Sequence, residues 1–234
     1  KAIALFSLEM SADQLVKRMV SSETGIPAEK LRKGNLDEIE WQKLVSQTGK
    51  LSQAPLYIDD TPALSVFEFR SRCRRLKAMY DIQMVIVDYL QLMRADLDHK
   101  SGNREQEIST ISRSLKAVAK ELNIPIIALS QLSRSVETRG GTKRPMLSDL
   151  RESGAIEQDA DMVLFIYRPE YYEINQNEFG ENNKGETHVK IAKHRNGSLE
   201  TIKLRAQLHI QKFVEDESDD SPFAALPKEG GNWR

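Results

Sequence analysis

Met84-Val85-Ile86-Val87-Asp88 is the stretch that decides the fold. It is apolar without alternation and rich in β-branched residues, and it ends abruptly in an acid. Such a run predicts a central strand of a parallel sheet, buried on both faces. Before it, Ser65 and Glu68 have capping-box spacing, and Phe69, Cys73, Leu76 and Tyr80 follow at helical intervals. After it, residues 94–103 are polar and charged and read as a loop. Ile108, Ile111, Leu115, Val118 and Leu122 then step by three and four, as one face of a long helix does. Residues 125–130 read as another buried strand. Strand and helix in alternation imply βαβ units with right-handed crossovers, hence an α/β fold around a mostly parallel sheet.

The pattern extends in both directions. Residues 2–6 form a short apolar run, read as a buried strand. Ser11 with Gln14 opens a helix carrying Leu15 and Met19, and Asp37 starts another with Trp41, Leu44, Thr48 and Leu51 on one stripe. Residues 56–58 make a brief strand ending in Asp59-Asp60. On the far side, residues 133–148 read as a mobile loop, 156–161 as a helix, 162–167 as a strand and 175–185 as an exposed loop. Alternation at Val189 and Ile191, and at Ile202, Leu204, Ala206 and Leu208, predicts two edge strands in a hairpin turning at Asn196-Gly197. The division that results is one domain over residues 1–214 and an acidic, disordered tail over 215–234.

Composition narrows the function. The 234 residues hold 34 basic and 35 acidic side chains, a net charge of -1. Any nucleic-acid contact must therefore come from local placement of Lys and Arg rather than overall charge. Cys73 is the single cysteine, so no intrachain disulfide can form and a reducing, cytosolic setting fits. No run reaches the roughly 18 apolar residues of a membrane span. The chain starts without Met inside an apparent strand, which suggests a fragment or a processed chain.

In parallel sheets ligands sit beyond the carboxyl ends of the strands. The polar residues at those ends are therefore the candidates, each with a plainer alternative. Asp88 has the placement of an acid that holds Mg²⁺ through water, or it caps a turn. Glu9, in Ser7-Leu8-Glu9-Met10, can deprotonate an attacking water, or it only complements the dipole of the next helix. Gln131 can hydrogen-bond a γ-phosphate, or it is a solvated strand end. Lys193 and Arg195, beside a tight turn, can reach a neighbouring subunit and stabilise phosphoryl charge, or they decorate a hairpin tip. Residues 143–161 combine basic side chains with a helix start near Arg151 to Gly154, suited to backbone phosphates or to an ordinary capped helix. The four histidines show no ligand spacing, so no structural metal is expected.

Together these stretches resemble the DnaB family of bacterial replicative helicases, hexameric rings built on a RecA-like core. The resemblance rests on Phe6-Ser-Leu-Glu-Met-Ser11, Ile58-Asp-Asp-Thr-Pro62, Cys73-Arg-Arg-Leu-Lys77, Val85-Ile-Val-Asp-Tyr-Leu-Gln-Leu92, Ile111-Ser-Arg-Ser-Leu-Lys116, Ala128-Leu-Ser-Gln-Leu-Ser-Arg-Ser135, Arg144-Pro-Met146, the run from Asp149 to Asp161, and Lys193-His-Arg-Asn-Gly197, in the family's order. It implies a RecA-like P-loop NTPase core with a C-terminal antiparallel hairpin. It also implies ATP and Mg²⁺ as cofactors, single-stranded DNA and further copies of the chain as partners, and a primase and a helicase loader besides. By the same resemblance Glu9 is the catalytic base, Asp88 the Mg²⁺-holding Walker B acid, and Gln131 the γ-phosphate sensor. Lys193 and Arg195 are fingers that reach the neighbour's ATP, and Arg151, Glu152 and Gly154 belong to the loop that tracks DNA.

Two departures stand out. No Gly-x-x-x-x-Gly-Lys-Ser/Thr loop occurs in the 234 residues, and Gly140-Gly-Thr-Lys143 lacks its spacing. In the family that loop and its strand lie upstream of the position of Lys1, so a strand beside Asp88 is expected to be missing and an apolar edge open. His194 stands where the family usually has Gln, and is read as neutral and incidental. Two alternatives are weighed against the helicase reading: a RecA/RadA-like recombinase, and a non-enzymatic truncated paralogue that caps or loads a helicase ring.

Overall fold

The computed structural model describes residues 1–95, 104–176, 180 and 182–215, with the side chains of 151–153 excepted. The strands are β1 (Ile3–Ser7), β2 (Leu56–Asp59), β3 (Met84–Asp88), β4 (Ile126–Ala128), β5 (Met162–Tyr167), β6 (Glu186–His194), β7 (Thr201–Gln207) and β8 (Lys212–Glu215). The helices are α1 (Ala12–Thr24), α2 (Ala28–Lys33), α3 (Glu38–Ser52), α4 (Val66–Tyr80), α5 (Arg104–Leu122), α6 (Ser135–Thr138) and α7 (Gly154–Asp159). They build a parallel sheet in the order β2-β1-β3-β4 and an antiparallel sheet in the order β5-β6-β7-β8. The expected α/β architecture is present. Its antiparallel part is a full four-stranded sheet, in which β6 and β7 are interior strands and β8 is the far edge.

Local chemistry sets the helix starts. Ser11, Asp37 and Ser65 each close a complete capping box, with Gln14, Glu40 and Glu68 returning the bond. Asp60 adds to the first start by accepting from the Ala12 N–H at 2.9 Å, so β2 is tied to α1. The core lies between one face of the parallel sheet and two helices. Ala4, Phe6, Val85 and Val87 meet Phe69 and Cys73 of α4 and Ile108, Ile111, Leu115 and Val118 of α5. Phe6 and Phe69 pack edge to face at 4.9 Å. Burial pushes the Cys73 thiol up to about 12, with the nearby Asp59 charge adding to the effect, so it stays a protonated, inert core group.

Several expectations need correcting. β3 is buried on one face only: Val85 and Val87 are sealed by the helices, while Met84 and Ile86 remain half-buried on the other side. β3 also has β1 and β4 on its two sides, so no strand is missing next to Asp88. The open apolar edge is instead β4, which is not a buried strand: Ile127 is 46% and Leu129 43% exposed. β5, the first strand of the other sheet, likewise turns Met162, Leu164 and Ile166 outward.

Residues 133–148 are a tethered segment rather than a free loop. Val136 is buried, Asp149 is 2% exposed, and its carboxylate accepts from Arg139 and, at 2.7 Å, from the Met146 N–H. Composition hid this, because the Arg139 charge is spent on the buried Asp149. Trp41 leaves the expected stripe of α3 and is 54% exposed. The β6–β7 connection spans residues 195–200, longer than a two-residue turn. The His194 ring lies over Gly197, so a Cβ there, 2.2 Å from the ring, would push the ring aside. Glu215, placed in the tail by composition, ends β8, and residues 216–234 lie outside the described ones. No helix of the described residues is long and apolar enough to cross a membrane.

Candidate active site

The parallel strands β2, β1, β3 and β4 end on one edge, and three candidates meet there. Ser7 is in register with Asp88, and the Leu8 N–H donates to the Asp88 carbonyl at 2.7 Å, which places Glu9 just past the Asp88 strand end. On the other side Leu129 N–H donates to the Val87 carbonyl and Leu90 N–H to the Leu129 carbonyl, both at 2.9 Å. These two bonds carry Gln131 to the same edge. Ser7, 1% exposed, donates its hydroxyl to the Met10 carbonyl at 2.7 Å and so shapes the turn that presents Glu9.

Glu9 and Gln131 are exposed, and Asp88 is half-buried. None of the three side chains has a hydrogen-bond partner among the described residues. The fourth strand end is different in kind. Burial alone would push the Asp59 carboxyl up. Bonds from the Arg72 guanidinium, at 2.5 Å in the closest contact, and from Thr61 outweigh that and hold it below the usual range. Asp59 is therefore a structural clasp, while Glu9, Asp88 and Gln131 keep free polar capacity. Asp88, half-buried at its strand end, offers carboxylate oxygens of the kind that hold a hard cation through water.

Lys193 and Arg195 do not join this edge within the chain. Lys193 Nζ donates to the Glu157 carbonyl, and Arg195 donates to the Gln158 carbonyl at 2.8 Å. Those carbonyls belong to the last turn of α7, where unsatisfied acceptors and the helix dipole favour cations. Arg195 also lies 3.4 Å from Asp161, a carboxylate held below its usual range mainly by its bond from Lys116. Gly154 begins α7, and Arg151 and Glu152 precede it in a 3-10 turn, their side chains outside the described set. One six-residue helix thus has the candidate DNA loop at its start and both candidate fingers at its end.

Sequence reading missed Gln91 and Asp161. Gln91 had one signal, a lone amide between Leu90 and Leu92 directly after Asp88. Asp161 had none, because its partners Lys116 and Arg195 are 45 and 34 positions away along the chain.

A model of the DnaB-like helicase C-terminal domain matches residues 1–215. This chain belongs to that family. It is 51% identical over 214 residues to the replicative DNA helicase DnaC of Bacillus subtilis, covering 92% of this chain and 46% of the relative. It is 53% identical over 212 residues to the replicative DNA helicase DnaB of Geobacillus stearothermophilus, covering 91% and 45%. Among solved structures, one described as an ATPase domain superposes with a TM-score of 0.84 at 38% identity, covering 93% of this chain and 75% of that one. A DnaB-like replicative helicase studied for its interactions with primase superposes with a TM-score of 0.83 at 38% identity, covering 93% and 51%. The chain therefore spans about half the length of the curated relatives it matches. The two alternatives weighed on sequence gain no support from this company. The RecA-like core that the resemblance implied is the fold of this DnaB-like domain.

Proposed function

We propose that this chain is the motor domain of a replicative DNA helicase, hydrolysing ATP between subunits of a hexameric ring to translocate on single-stranded DNA and unwind the duplex ahead. The observation that carries the reading is the meeting of Glu9, Asp88 and Gln131 on one sheet edge with their side chains unpartnered among the described residues, while Lys193 and Arg195 sit elsewhere on the same chain. An incomplete set of charges on one protomer is completed by its neighbour.

In this mechanism Glu9 takes a proton from the water that attacks the γ-phosphate, and Gln131 hydrogen-bonds the γ-phosphoryl group. Mg²⁺ held through water at Asp88 would neutralise phosphate charge, and the open, oxygen-bearing carboxylate fits that ion. Lys193 and Arg195 of the adjacent protomer leave their own α7 carbonyls and meet the developing charge. Because α7 begins at Gly154, directly after Arg151 and Glu152, moving the fingers shifts a loop suited to DNA backbone phosphates. A primase and a helicase loader are the proposed protein partners, and the cytoplasm the proposed compartment. The cradle for the α- and β-phosphates is not among these 234 residues.

The test is Arg195→Ala in the full-length protein. DNA-stimulated ATP hydrolysis should fall by about a thousandfold, the scale of a lost arginine finger, with ATP binding within about twofold of the parent. Unchanged turnover removes Arg195 from the mechanism.

A further inference from the structure

Gln91 lies in the short turn Leu90–Leu92 that follows the Asp88 strand. Its side-chain amide grips the backbone of the proposed sensor. Nε2 donates to the Ser130 hydroxyl at 2.9 Å and to the Gln131 carbonyl at 3.2 Å, and Oε1 accepts from the Gln131 N–H at 3.2 Å. β4 ends at Ala128, so Gln131 has left the ladder that would otherwise fix it. The amide of Gln91 takes the place of a strand neighbour, satisfying both backbone groups of one residue. Gln91 is itself held on both flanks. Arg104, at the start of α5, donates to its carbonyl oxygen, and the adjoining Leu90 is buried and bonded to Leu129.

We infer that Gln91 is a positioning residue for Gln131, fixing the sensor's backbone so that its free carboxamide meets the γ-phosphoryl group in the transition state. This rests on the role proposed above for Gln131. The geometry demands an amide: one planar group must offer an acceptor and two donors at once. Glutamate has the same shape but offers only acceptors at neutral pH, and its second oxygen would face the Gln131 carbonyl. Since the sensor contact strengthens as charge develops, loosening it should lower kcat and leave ground-state binding of ATP nearly intact.

The experiment measures steady-state ATP hydrolysis by the full-length protein with Gln91→Ala, Gln91→Glu, Gln131→Ala and Gln91→Ala combined with Gln131→Ala. Each Gln91 variant should lower kcat about tenfold, with the KM for ATP within about twofold. Gln91→Glu leaves no cavity, so it carries the test even if Gln91→Ala folds poorly. In the Gln131→Ala background, Gln91→Ala should cost nothing further, because Gln91 acts only through Gln131. Wild-type kcat in either Gln91 variant overturns the inference. So does an equal loss from Gln91→Ala in both backgrounds, which is the mark of a merely structural loop contact. Full turnover by Gln131→Ala alone would instead remove the sensor assignment, and the inference with it.

Discussion

Asp149 shows how much one side chain can organise. Its carboxylate joins Arg139 and the Met146 N–H, and its carbonyl accepts from the Ser133 N–H at 3.1 Å. A segment rich in Ser, Gly and Arg is thereby pinned at both ends. Asp149→Ala should destabilise the domain by about 2–3 kcal/mol, because it leaves the Met146 N–H unpaired and Arg139 without its carboxylate, with only the Arg144 carbonyl to bond, less than for a fully buried pair since Arg139 is partly exposed. Urea unfolding would measure this, and a loss within about 0.5 kcal/mol would contradict the tether. At this scale the sequence was legible wherever a residue's position in the fold depended on its place along the chain. Glu9, Asp88 and Gln131 follow apolar runs, and Ser11, Asp37 and Ser65 stand three residues before their partners. Gln91, Asp149 and Asp161 were opaque because their roles depend on partners that only the fold brings near.

Among elements, the tie between β2 and α4 has a definite pH signature. In the parent, Arg72 and Thr61 hold the folded Asp59 carboxyl below its unfolded value, so its contribution is present above the unfolded pKa and lost as pH falls through the lowered one. In Arg72→Met, burial is no longer opposed by the guanidinium, and the same carboxyl moves upward. The variant should be less stable at pH 7 by about 1–2 kcal/mol, and the gap should close as pH drops below the parent's lowered pKa. Thermal unfolding of both proteins across pH checks this, and a gap that persists or widens in acid would contradict it. Long elements with strong periodicity, α4 and α5 above all, were readable because their stripe is the core face itself. α2 escaped notice because six residues with one large apolar side chain, Leu31, have no stripe, and β8 because four residues between polar flanks carry little alternation. β4 was misread as buried because an apolar run does not reveal whether a neighbour covers it.

Across the whole molecule, a half-parallel, half-antiparallel architecture separates two kinds of charge. The parallel sheet gathers open acids and an amide at one edge, while the antiparallel sheet carries the cations, parked on the carbonyls of α7. Sequence could place both groups but not the parking, since backbone acceptors leave no mark in side-chain pattern. The central claim is that these two groups meet across a protomer boundary. A structure of the full-length assembly with a non-hydrolysable ATP analogue tests it most directly. The account predicts Lys193 and Arg195 of one protomer about 3 Å from the γ-phosphate held against Glu9, Asp88 and Gln131 of the next. Both cations still bonded to Glu157 and Gln158 of their own protomer, with every nucleotide out of reach, would contradict it.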